Sequence, residues 1–184
     1  MWGGPRGAVA SETLSNYLDA LDRLILVEAI PAWRPHMRSR TRLRTTPVNH
    51  FVDPSLGASA LGLGVDELSK DLEAAGLHFE SLVARDLRVY SQPLGAALSS
   101  WRDSRTGAEV DIVLELPDGT WAGIEVKLGE NAADEAAASL LRMADKIDHD
   151  RHGEPAALIV ITGGRYSYKR ADGVCVVPIT ALGP

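Results

Sequence analysis

The spacing of apolar positions switches between helical and alternating periods along the chain, and each switch marks an element. Leu14, Leu18, Leu21 and Leu24 or Ile25 recur every three or four positions, the stripe of an amphipathic helix that Ser11 is placed to cap. Ile25-Leu26-Val27 leads through Glu28 to Ile30 and Pro31, where a first strand should end. Residues 50–54 (HFVDP) read as a short strand ending in a turn. Residues 55–63 and 65–75 read as short helices broken by Gly62, Gly64 and Gly76. Residues 77–90 form a longer helix with Phe79, Leu82, Val83, Leu87 and Tyr90 on its buried stripe, and Glu80 borders or enters that stripe. Residues 100–103 enter a central hairpin. An alanine-rich helix over 131–147 turns Leu140, Leu141, Ala144 and Ile147 inward. The continuous apolar run 156–161 predicts a strand covered on both faces, and 174–179 a last strand. Tyr166, Tyr168, Lys169 and Arg170 fall on a loop between them.

The central hairpin, EVDIVLELPDGTWAGIEVK, carries the candidate chemistry. Val110, Ile112, Leu114 and Leu116 alternate with polar residues, as do Ala122, Ile124, Val126 and Leu128, so each strand should bury one face. Pro117-Asp118-Gly119 supplies the turn. With those three residues as the loop, Leu116 faces Thr120, which places Asp111 across from Glu125 and Glu109 across from Lys127. A slip of one residue would mix the polar and apolar faces. Opposed β-carbons lie roughly 4.5–5.5 Å apart, and two carboxylates at that distance repel and raise each other's pKa unless a cation lies between them. Lys127 is one such cation, and a divalent metal is another. The plainer reading is an exposed face with a Glu109–Lys127 salt bridge.

Composition narrows the function classes. The 184-residue chain has an ordinary globular composition and a net charge of −6, which argues against a uniformly nucleic-acid-coating surface while allowing a local basic patch. That patch is a row at even positions, Arg34, Arg38, Arg40, Arg42 and Arg44, with His36 among them. Two readings are open: guanidinium groups on one extended face for phosphate oxygens, or a solvated hairpin whose charges prevent edge pairing. The single cysteine, Cys175, lies in an apolar run and reads as a packing residue, which excludes a disulfide framework and makes a reducing cytoplasm the expected location. No apolar run is long enough to span a membrane, and no GxxxxGK[ST] motif is present. His149 and His152 lie where a helix ends and read as surface residues rather than metal ligands.

The D…ExK arrangement of Asp111, Glu125 and Lys127 resembles the core of the PD-(D/E)XK nuclease superfamily. The ordered set NYLDALDRLILVEAIPAW, HFVDPSL, GLHFESLVARDLRVY, WRDSRTGAEVDIVLE, IEVKLG and DGVCVVPI resembles, over residues 11–182, the domain of unknown function found C-terminal to bacterial and archaeal AAA+-type ATPases. That resemblance implies an α/β fold: a restriction-endonuclease-like mixed sheet flanked by helices, preceded by a partial winged helix of one helix and a basic hairpin. The corresponding division is a leader over 1–10, the partial winged helix over 11–48 and the nuclease-like domain over 49–184. Carried over by residue, it makes Glu80 the helix-borne acid, Asp111 the first hairpin ligand, and Glu125 and Lys127 the ExK pair. Glu80, Asp111 and Glu125 would then hold Mg²⁺ or Mn²⁺, with Lys127 assisting. Arg38, Arg40, Arg42 and Arg44 would contact DNA phosphates, and the further partners implied are an AAA+-type ATPase or a second copy of the chain, with no membrane. The rival expectation is a module that binds DNA or protein without cleaving. The chain departs from the family at Pro47-Val48-Asn49, where basic residues usually follow the proline.

Overall fold

The computed structural model describes residues 10–36 and 45–183, so Arg38, Arg40, Arg42 and Arg44 lie outside the described residues. Helix α1 (Ser11–Arg23) starts one residue earlier than expected: Ala10 is its N-cap and no side chain caps it. It closes in a Schellman-type end, with Ile25 N–H donating to Asp22 O (2.8 Å) and Leu26 N–H to Leu21 O (3.0 Å). Ile25 takes the left-handed conformation (φ 56°) that this end requires, a position usually given to glycine. No residue of α1 is buried, and Leu14, Leu24 and Ile25 of its apolar stripe face solvent.

Strand β1 (Val27–Ile30) pairs antiparallel with β2 (Val48–Phe51) in a separate two-stranded sheet. Asp53 caps α2 (Pro54–Ala60) by accepting from Ser55 N–H at 2.9 Å. After α3 (Val65–Leu68) comes α4 (Leu72–Ser91), which runs straight through Gly76 instead of being broken by it. The Asp71 cap, accepting from Ala74 N–H at 3.0 Å, offsets the roughly 1 kcal/mol that one glycine costs a helix.

The main sheet holds β3 (Ala97–Arg102), β4 (Glu109–Glu115), β5 (Trp121–Lys127), β6 (Ala157–Thr162), β7 (Tyr168–Lys169) and β8 (Cys175–Pro178). Its order is β3-β4-β5-β6-β8-β7, with β6 parallel to both β5 and β8 and the remaining pairs antiparallel. The connection from β5 to β6 passes through α5 (Ala133–Lys146) and the short α6 (His149–His152). Residues 166–170, expected as a loop, therefore contain an edge strand. The molecule is a mixed α/β sheet flanked by helices, plus the small β1–β2 sheet.

Both faces of the sheet are covered, which corrects the expectation of one buried face per hairpin strand. On one side Ala136, Ala137, Leu140 and Met143 of α5 pack on Val113, Trp121, Val160 and Val176. On the other, Val83, Ala84 and Leu87 of α4 pack on Ile112, Ile124, Val126 and Ile161. Alternation placed Ile112, Ile124 and Val126 together correctly, but it could not show that Trp121 and Gly123 face a second helix. Gly123 lets α5 pack closely there: a β-carbon would fall 2.8 Å from Met143 Cε, which would have to shift. The outer edge of β3 is strapped by the chain leaving β1, with Ser100 N–H donating to Pro31 O (2.8 Å) and Trp33 N–H to Ser100 O (2.7 Å). That strap buries Trp33, whose indole N–H donates to Glu115 Oε2 at 2.6 Å. His152 packs edge-on against Trp33 (centroids 4.9 Å) and so joins an aromatic cluster rather than the open surface expected for it.

Candidate functional site

Leu116 N–H bonds to Thr120 O, and the hairpin keeps the predicted register from Glu115–Trp121 to Ile112–Ile124. The ladder between the two strands ends there, one step short of Asp111 and Glu125. On the other side of β4 the register with β3 shifts at the same place: Ser99 pairs with Val113, but Trp101 pairs with Val110. One residue of β3 thus faces both Asp111 and Ile112, a bulge on β4. It turns Val110 into the α5-side core beside Val113, where strict alternation had grouped Val110 with Ile112.

The bulge aims the Asp111 carboxylate into the fork where β4 and β5 part. Asp111 Oδ2 accepts Val126 N–H at 2.8 Å, so a side chain replaces the missing backbone rung. Lys127 Nζ donates to Glu125 Oε2 at 2.7 Å and lies 3.7 Å from Asp111 Oδ2, an ammonium bridging both acids. The expected Glu109–Lys127 pair does not form: Glu109 instead meets Arg102 at 3.2 Å across β3–β4. The fork explains this, because beyond Ile112 the two strands no longer face each other.

Glu80, on α4, approaches the same strand end from the opposite side of the sheet. A concavity of about 340 Å³ joins Glu80 to Glu109, Asp111, Arg102 and Thr46. A second, of about 280 Å³, joins Glu109 and Asp111 to Glu125, Lys127 and, from α5, Glu135 and Arg142. The four predicted residues therefore surround one strand end through two clefts that share Asp111 and Glu109, and do not line a single cleft. Among the described residues, no group of three or more His, Cys, Asp or Glu side chains is placed to hold a metal ion.

Electrostatics follow from this crowding. Burial, then the nearby Asp111 charge, push the Glu80 carboxyl up to about 7, with Lys127 pulling the other way. Glu125 is almost fully buried, and burial with Asp111 beside it raises its pKa despite the Lys127 hydrogen bond. Burial opposes the Lys127 charge, but Asp111, Glu125 and Glu80 outweigh it and hold the ammonium above its ordinary value.

Sequence reasoning missed His50 and Ser81. His50 is buried on β2, its Nδ1 sharing a hydrogen bond with Ser81 Oγ at 3.3 Å and its Nε2 lying 3.9 Å from Glu80 Oε1. Burial lowers its pKa, against the pull of Asp111, so it stands beside Glu80 as a neutral ring at neutral pH. Nothing local distinguished His50 from an ordinary strand residue, because its neighbour on α4 is 31 positions away.

The architecture is a helix-flanked mixed sheet whose central antiparallel strands part around an acid–lysine cluster. Residues 75–182, well over half of the chain, match the family described as Domain of unknown function (DUF4143). The chain belongs to that family. Residues 6–67 match a second domain of unknown function, DUF8612. No curated protein matches the chain. Among solved structures, it is similar to a chain of a refined half-complex from a tetradecameric assembly of Thermococcus gammatolerans McrB AAA+ hexamers with bound McrC. The TM-score is 0.38 at 9% identity, over 89% of this chain and 59% of that one. The chain thus spans about three-fifths of that protein's length.

Proposed function

We propose that this chain is a metal-dependent, nuclease-like domain that hydrolyses phosphodiester bonds of DNA and acts in company with an AAA+-type ATPase. The observation that carries the reading is the fork: Asp111, Glu125 and Lys127 meet where two central strands separate, with Glu80 closing on Asp111 from behind. This arrangement opposes the energetics of folding, since it sets ionisable groups in a buried place where apolar side chains would be more stable. Such perturbed clusters concentrate at functional sites.

The donor chemistry suits a hard divalent ion, which takes carboxylate oxygens and water, and the bridging Lys127 ammonium marks where positive charge is held between two acids. Glu80, Asp111 and Glu125 do not stand as a ready three-ligand group and would have to draw together to hold Mg²⁺ or Mn²⁺. The chemistry such an ion would supply there is polarisation of a phosphoryl oxygen and a lowered pKa for a bound water. Asp111 is the preorganised member, because Val126 N–H fixes its orientation. Glu80, titrating at about 7, must lose its proton to serve as a ligand, so affinity should fall as pH drops below neutrality. Lys127, once Glu125 is engaged elsewhere, is left to orient water or steady a phosphate. The arginines of the row at 38, 40, 42 and 44 supply phosphate contacts without sequence preference.

A second reading, a non-catalytic module binding DNA or protein, is favoured by one observation: Glu125 is buried and already hydrogen-bonded to Lys127. Calorimetric titration with Mn²⁺ of the native protein and Asp111→Asn, alongside a plasmid-cleavage assay in Mg²⁺ or Mn²⁺, separates the two. The nuclease reading expects binding and cleavage that Asp111→Asn abolishes. Native protein that takes no Mn²⁺ at pH 8 and leaves the plasmid intact supports the binding module instead.

A further inference from the structure

Lys127 on β5 is the register partner of Thr162, the last residue of β6. The chain leaving β6 is therefore launched from the rim of the acid–lysine fork. Its first residues are fixed. Gly163 N–H donates to Leu128 O at 3.2 Å, and a β-carbon at Gly163 would fall 2.9 Å from that same oxygen, so the two backbones are in close contact. Gly164 N–H donates to Thr162 Oγ1 at 3.2 Å, and Glu130 Oε1 accepts Arg165 N–H at 3.1 Å. This mount then presents Arg165, Tyr166, Ser167, Tyr168 and Lys169 to solvent before and within the two-residue strand β7.

Tyr166 is 73% exposed and Tyr168 45%, although the chain has only ten aromatic side chains of Phe, Trp and Tyr type and buries three of its tryptophans. Among the described residues neither the Arg165 guanidinium nor the Lys169 ammonium has a carboxylate partner, although Glu130 holds the Arg165 backbone N–H, whereas Arg170 beside them is taken up by Asp134 and Asp172. Two exposed phenol rings bracketed by two uncommitted cations, on a hydrogen-bonded mount, are the elements of a base-stacking platform. Four extended residues reach at most about 14 Å, which keeps Tyr166 within a few nucleotides of Thr162 and hence of the fork. A protein strand added to this edge is the poorer occupant, since a ladder of two residues offers little to template.

We infer that Tyr166 and Tyr168, with Arg165 and Lys169, form a binding surface for single-stranded nucleic acid that feeds the acid–lysine fork. The delivery of a strand to the fork rests on the proposed function, whereas the binding of single-stranded nucleic acid does not. The probe is a fluorescein-labelled oligo-dT of twenty nucleotides, followed by anisotropy at low salt in EDTA so that no cleavage intervenes. Full-length native protein should bind it. The double variant Tyr166→Ala/Tyr168→Ala should bind at least about tenfold more weakly, while Tyr166→Phe/Tyr168→Phe, which keeps both rings, stays within about threefold of native. Arg165→Ala/Lys169→Ala should weaken binding and flatten its salt dependence. Native protein that binds oligo-dT in EDTA but cleaves no DNA in Mg²⁺ or Mn²⁺ would sink the nuclease reading and keep the platform. Failure of the native protein to bind oligo-dT, equal affinity of the double-alanine variant, or equal loss in the double-phenylalanine variant overturns the platform, even if cleavage is observed. Capture of a protein ligand in place of the oligonucleotide by this surface would overturn it as well.

Discussion

Replacing Glu80 by Gln should make the metal-free protein more stable, and only above a defined pH. The carboxyl is raised from 4.5 to about 7, first by burial and then by Asp111. Between those values the folded state keeps a proton that the unfolded chain has released. Native stability is therefore fully present below about 4.5 and is lost as pH rises through about 7. At about 1.4 kcal/mol per pKa unit the whole unscreened loss is about 3–4 kcal/mol. The side chain is 29% exposed, and solvent screening brings the expected figure to about 1–3 kcal/mol. Gln is isosteric and has no proton to lose, so Glu80→Gln escapes this penalty. For a chain of this size 1 kcal/mol moves Tm by about 2–4 °C, giving a gain of roughly 2–12 °C above pH 8 and almost none at pH 4. Thermal melts by circular dichroism at pH 4, 5, 6, 7, 8 and 9 in EDTA would trace the difference between the two proteins. A gain that is the same at every pH, or a loss at pH 8, would refute the argument that Glu80 is held in a charge-opposing site. Adding Mn²⁺ at pH 8 should reverse the order, because only the native set of acids then gains binding energy on folding.

Three further outcomes follow from the packing and the site. Gly123→Ala should cost about 1–3 kcal/mol in chemical denaturation, because the new methyl meets Met143, Leu158 and Leu140 at 2.8–3.3 Å; an unchanged midpoint would show that α5 can move aside freely. Ile25→Gly should stabilise the end of α1 by about 1 kcal/mol by relieving a β-branched residue at φ 56°, read as slower hydrogen exchange at Leu24 to Leu26; faster exchange there would contradict the strain. Asp103→Asn should destabilise at neutral pH, since Asp103 is buried, accepts from Lys146 at 2.8 Å and from Thr106 at 2.7 Å, and is held by them well below the usual carboxylate range. That contribution is present at neutral pH and is lost on acidification, so the gap between variant and native in urea midpoint should close towards pH 2.

The sequence by itself determined the order of elements, the hairpin turn and the register that begins at it. Those features depend on local periods: apolar residues every second position for a strand and every third or fourth for a helix, with Pro117-Asp118-Gly119 making the reversal. It also brought Asp111, Glu125 and Lys127 to one end of the hairpin, because the register set at the turn carries as far as Ile112–Ile124, one step short of Asp111 and Glu125. What it left open was which way the Asp111 carboxylate points. That depends on β4 having two partners at once, β5 holding one register and β3 another, so that a bulge falls at Asp111 and Ile112. A linear pattern records the period of a strand but not the conflict between the neighbours it will acquire. For the same reason the double burial of β5 was invisible, since Trp121, Gly123 and Glu125 look like an outer face until α5 lies on them. The elevated pKa of Glu80 and the His50–Ser81 contact beside it belong wholly to the tertiary structure, because desolvation and charge at a carboxylate come from segments that meet only when the chain is folded.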